Sequence, residues 1–198
     1  MNKKIITFLV LSLALLIFNA KAVNASSVDP NFDPNLIISD EEMLNYNSMT
    51  LMEIQIFLES KNSFLASYET KNAYGTKKTA AEIIYEAATA NYRCPDHVDL
   101  SENPGEEMIE LLCDKITTVN PRFLMILIQK ESSLIENPNP SQKRLDEATG
   151  YGCPDSGGCN PRWKGFGKQV NSAALQFLAY MEKPNRYPYR QGNAYIFN

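Results

Sequence analysis

Phe123 to Ile135 reads FLMILIQKESSLI, an apolar run that sets one carboxylate, Glu131, among hydrophobic residues. At helical spacing, Leu127 and Ile128 stand four and three positions before it, and Leu134 and Ile135 three and four after it. These are its nearest neighbours on one helical face. From Phe123 to Ile128 the apolar residues cover nearly the whole circumference, which predicts a central helix. Asn120-Pro121 supplies the start: Asn caps, and Pro takes the first helical position, where an N–H is not needed. Apolar surroundings disfavour a charged carboxylate and raise its pKa, which suits a proton donor near neutral pH. A plainer reading competes. Glu131 lies near the helix end beside Lys130 and two serines, where it is solvated or paired with a lysine.

Further helices surround this one. Thr50-Leu51-Met52-Glu53 is a capping box followed by an apolar stripe of Leu51, Ile54, Phe57 and Leu58. Thr79-Ala80-Ala81-Glu82 is a second box, opening a helix with Ile83, Ile84, Ala87 and Ala88 inward. Pro104 starts a third helix over about GEEMIELLCDKI. ENPNPSQKRLDEATGYG holds a short helix, capped by Ser141 and stopped at Gly150. In KQVNSAALQFLAYMEK, Val170, Ala173, Ala174, Phe177, Leu178 and Met181 follow the helical period until Pro184 ends it. No alternating strands or repeats stand out. The fold class is mostly α, in one domain.

Lys3 and Lys4, an uncharged apolar run from Ile5 to Phe18 and then small residues form a secretory signal peptide over 1–25. Cleavage falls after Ala22 or Ala25, and the apolar run is short of the ~20 residues a spanning helix needs. Residues 26–47 form a polar segment interrupted by Pro30 and Pro34, leaving 48–198 as the helical domain. Loss of residues 1–22 removes three lysines and no acid, taking the formal charge from −4 to −7. An acidic chain without a basic cluster argues against general nucleic-acid binding. Four cysteines in an exported chain are most simply two disulfides. The local pairings Cys94 with Cys113 and Cys153 with Cys159 are favoured; the latter encloses the turn-forming PDSGG. A rival metal site would use Cys94, His97 and Cys113, without a CxxC pair and with the single histidine. The aromatic tail NRYPYRQGNAYIFN shows no period and no finishing element, which fits a shortened form of a longer protein.

LIQKESSL resembles the helix-borne Glu-Ser motif of goose-type lysozymes and lytic transglycosylases. The element expected next, a loop with a glycine and a glutamine before a helix, has its counterpart in GFGKQVNSAALQF. The longer set NPRFLMILIQKESSL, ATGYGCPD and GFGKQV is similar to a group of exported bacterial proteins with a lysozyme-like transglycosylase domain. The resemblance runs from about IISDEEMLNYNSMTLMEIQIFL to YRQGN. It implies a lysozyme-like fold and peptidoglycan glycan strands as partner. Glu131 would be the general acid and then the base, with Ser132 orienting it. Gly165, Phe166 and Gln169 would line the sugar cleft, with Tyr151 as a cleft aromatic or a core residue, and Trp163 as a sugar platform or a cap on the core. Two features depart from the pattern. The usual loop is Gly-Leu-Met-Gln, and a later Tyr-Asn element has no clear counterpart here.

The implied reaction is non-hydrolytic cleavage of the β-1,4 bond between N-acetylmuramic acid and N-acetylglucosamine, which one carboxylate can perform without metal or cofactor. Hydrolysis of lysozyme type needs a second group to activate water or attack carbon; Asp146, Glu147 and Asp155 are the candidates. A secreted wall-binding or adhesion protein using the same fold without catalysis is the reading from a different class.

Overall fold

A computed structural model describes residues 36–95, 98 and 105–188. The signal peptide, the polar segment up to residue 35, His97, Pro104 and the tail from residue 189 lie outside the described residues. The chain divides into Met1–Ile37 and Ile38–Asn198, so the domain takes in residues ahead of the expected start at 48. Every element described belongs to the second unit.

The helical elements in chain order are α1 (Asp40–Met43), α2 (Leu51–Ser60), α3 (Ala80–Thr89), α4 (Glu106–Leu112), α5 (Pro121–Ser132), α6 (Gln142–Asp146) and α7 (Phe166–Glu182). Both capping boxes form. The Thr50 N–H donates to Glu53 at 2.8 Å and the Glu53 N–H to the Thr50 hydroxyl at 3.3 Å. The same reciprocal pair joins Thr79 and Glu82 at 2.7 and 3.2 Å. Each exchange satisfies two backbone donors that a helix start leaves open. The donated hydrogen bonds hold the Glu53 and Glu82 carboxyls below the ordinary glutamate range. Asn120 caps α5 by accepting from the Arg122 N–H at 2.8 Å. Its amide nitrogen also donates to the backbone oxygen and the carboxylate of Glu42, at 2.9 and 2.8 Å, tying α1 to the start of α5.

Four short strands were not evident in the sequence. β1 (Glu69–Lys71) pairs antiparallel with β2 (Lys77–Thr79), and β3 (Asn91–Arg93) with β4 (Asp114–Ile116). Three residues are too few to show alternation, and ETK and KKT are polar throughout. β4 also corrects the third predicted helix. α4 stops at Leu112, and DKI, the end of the predicted helix, is strand. The disulfide between Cys94 and Cys113 continues the ladder one step beyond the Arg93–Asp114 pair. Cys153 pairs with Cys159. Both favoured pairings are therefore present, and the two sulfurs of the rival metal site are bonded to each other.

The centre of the domain is α3, not α5. α3 packs against α2, α5 and α7, and Ala80, Ala81, Ile83, Ile84, Ala87 and Ala88 are all buried. Small side chains let three neighbours approach one short helix closely. On α5, Leu124 and Ile128 are buried, whereas Ile126 is 66% exposed. Its all-round apolar sequence therefore does not mean all-round burial. Phe166 opens α7 and is fully buried, with an edge-to-face contact to Tyr68 at 6.1 Å.

Gly167 is where α7 meets the β1–β2 hairpin, whose backbone crosses it at Asn72. A Cβ there would lie 2.6 Å from the Asn72 Cα and closer still to the Lys71 carbonyl oxygen. Backbone cannot swing aside as a side-chain tip can. Gly167→Ala is expected to lower the unfolding free energy by about 2 kcal/mol, whereas Gly158→Ala, with nothing within 4 Å, stays near wild type. Urea unfolding of both variants checks this; equal stabilities would contradict the crossing.

Candidate functional site

α5 ends because Ser133 turns left-handed, at φ 57°, after Ser132. Leu134 and Ile135 are consequently not a further helical turn beyond Glu131, as the sequence spacing implied. They fold back and are buried in the core. The Arg144 guanidinium donates to the Ser132 carbonyl at 2.7 Å, meeting one of the acceptors exposed at the helix end. The Ser132 hydroxyl lies 2.8 Å from the carbonyls of both Ile128 and Ala148, joining the last turn of α5 to the loop that follows α6.

Glu131 and Leu127, one turn apart, face a cleft of about 500 Å³. The opposite wall is the loop carrying Gly150 and Tyr151, and α7 contributes Phe177 and Tyr180. The Glu131 side chain is 33% exposed and pairs with Lys130 at 2.6 Å. It is therefore not enclosed by apolar residues as its neighbours in sequence suggested. Ile128 faces the core, and Glu131 is turned toward the cleft. The lysine side chain is 74% exposed, so the pair is a surface one, worth at most about 1 kcal/mol. Gly150 has φ +69°, and a Cβ on it would stand 3.5 Å from Glu131 Oε2. A bare backbone thus approaches the carboxylate from across the cleft.

Gln169 holds that loop in place. It is 1% exposed, and its amide oxygen accepts from the backbone N–H groups of Thr149 and Tyr151 at 3.2 and 3.1 Å. Its amide nitrogen donates to the carbonyls of Tyr151 and Trp163 at 2.9 and 2.8 Å. One buried side chain therefore satisfies three backbone groups of the loop and one of the turn at Trp163. Gly165 precedes α7 with φ 107°, and its N–H donates to the Asp146 carbonyl.

Of the residues expected at the site, Glu131 and Tyr151 line the cleft. Ser132, Gly165, Phe166 and Gln169 stand behind it as its supports. Tyr151 packs edge-to-face on Trp163 at 5.3 Å, and burial pushes its phenol above the ordinary tyrosine range, so it stays a neutral hydroxyl. Asp146, Glu147 and Asp155 are not in the cleft wall; Glu131 is the one carboxylate among the described lining residues. Phe177 and Tyr180 were not anticipated there. Phe177 belongs to the apolar stripe of α7, and Tyr180 lies off that stripe as a 40% exposed aromatic, which was its one visible signal.

These features define a mostly helical, disulfide-stapled domain with a carboxylate-bearing cleft. The chain belongs to the LasA N-terminal domain family, whose model matches residues 36–191. Comparison with curated proteins and with solved structures returns no match. Family membership and the two disulfides point to an extracellular protein. Among the described residues, no helix is long and apolar enough to cross a membrane.

Gln169→Leu is expected to lower the unfolding free energy by about 3 kcal/mol or more, because several buried backbone groups lose their partners. Hydrogen exchange at the Thr149 and Tyr151 amides should accelerate more than exchange in α3. Unchanged protection at those two amides would contradict the assigned role.

Proposed function

We propose that the domain is a lysozyme-like, secreted bacterial cell-wall protein that cleaves peptidoglycan glycan strands as a lytic transglycosylase. The observation that carries this reading is Glu131, the one carboxylate among the described lining residues, at the end of a helix in an aromatic-flanked cleft. A pocket of this size falls in the range of ligand sites, and the faces of Tyr151, Phe177 and Tyr180 suit the C–H faces of sugar rings.

In the proposed reaction, Glu131 protonates the glycosidic oxygen between N-acetylmuramic acid and N-acetylglucosamine. The substrate's own acetamido group spreads the positive charge that develops on the ring. The same carboxylate then takes the proton from the sugar's 6-hydroxyl, whose oxygen closes an anhydro ring on the anomeric carbon. No second protein carboxylate is needed, whereas a water-activating or nucleophilic group is normally required for hydrolysis. Entry of a sugar displaces the exposed contact with Lys130 at little energetic cost, and the carboxylate takes up a proton from solvent before it acts as the acid.

Purified protein incubated with peptidoglycan sacculi should release anhydro-muropeptides detectable by mass spectrometry. Glu131→Gln should reduce their formation by ~100-fold or more, the scale of losing a general acid–base group. Undiminished product from that variant would overturn the assignment. Binding to sacculi with no soluble product from either protein would favour a wall-binding domain instead.

A further inference from the structure

The Glu131 cleft does not end at Tyr151. On the other side of that residue lies a hollow of about 210 Å³, which shares Tyr151 and Gln176 with the cleft as common wall. Trp163 forms one side, with the Arg162 guanidinium 4.8 Å from its ring centre. Lys168, in the first turn of α7, forms another. Lys168 is only partly exposed. No acid stands in that first turn, and among the described residues Lys168 has no ion-pair or hydrogen-bond partner.

We infer that the hollow bounded by Tyr151, Trp163 and Lys168 is an anion-accepting subsite that continues the cleft and holds a carboxylate of the bound glycan on Lys168. This rests on the glycan reading of the cleft. Among the described residues the Lys168 ammonium has no counter-ion, and a carboxylate supplies a charge-assisted hydrogen bond there. The indole face beside it offers apolar area to the sugar or peptide that carries the carboxylate. The chain as a whole is acidic, at −4, so this cation acts locally and is not part of a general basic field. Two carboxylates of peptidoglycan qualify: the lactyl carboxylate of stripped N-acetylmuramic acid and the carboxylates of the stem peptide.

Trp163 is the single tryptophan of the chain, so its fluorescence reports on this hollow directly. Binding is measured on the full chain carrying Glu131→Gln, which leaves the ligand uncut. The ligands are neutral chitohexaose, amidase-stripped glycan strands and peptide-bearing strands. Carboxylate-bearing strands should bind ~10-fold tighter than chitohexaose and change the Trp163 emission, the scale of one charge-assisted contact. Adding Lys168→Gln should erase that preference, and Lys168→Arg should keep it. A preference for stripped strands assigns the lactyl carboxylate; a preference confined to peptide-bearing strands assigns the stem peptide. Equal binding of all three ligands, or a preference that survives Lys168→Gln, overturns the subsite and leaves the cleft reading standing. No binding of any glycan overturns both. Charge-selective binding, with no anhydro product from the wild-type chain, overturns the cleavage reading alone.

Discussion

The buried amide of Gln169 is the contact on which the candidate site depends. The loop around Gly150 and Tyr151 makes no regular ladder, yet its backbone donors and acceptors lie where water is scarce. Gln169 answers three of them at once, together with the Trp163 carbonyl, and so fixes the wall opposite Glu131. A glutamate or lysine there could not both accept and donate in this pattern when charged. α7 can present Gln169 at this depth because Phe166 anchors its first turn in the core and Gly167 admits the hairpin backbone.

The other wall is fixed from α5. Ser133 ends the helix in a left-handed turn, Arg144 answers an open carbonyl, and the Ser132 hydroxyl bridges to Ala148. Ser132 therefore acts on Glu131 through the loop and the helix end. The Cys153–Cys159 bridge closes the segment just after this loop, which limits the conformations open to the cleft rim in the unfolded chain as well as the folded one. Glu131 and Gly150 thus face each other because α5 and α7 are each tied to the same short loop.

Much of this was legible in the sequence, for physical reasons. Capping boxes at Thr50 and Thr79 are local chemistry, so residue identity at fixed spacing was enough to place them. The Asn120-Pro121 start and the apolar face of α7 were readable in the same way. The strands were not, since three-residue polar segments hold their place through tertiary contacts and through the Cys94–Cys113 bridge. Of the two environments the sequence allows for Glu131, the lysine-paired one at the helix end is present; the apolar one fails because the helical period does not continue past Ser132. Gln169 could be picked out as a site residue, but a buried amide and a cleft-lining amide are the same letter in a sequence. Lys168 shows in the sequence only as part of the departure from Gly-Leu-Met-Gln; the hollow it lines beside Trp163 is visible only in three dimensions.

The central functional claim is that one carboxylate cleaves the glycan without consuming water. Digestion of sacculi by the wild-type chain in ¹⁸O-labelled water, followed by mass spectrometry of the released muropeptides, tests it most directly. The account predicts anhydro ends carrying no ¹⁸O. Labelled reducing ends would show hydrolysis, with water activated by a second group, and would contradict it.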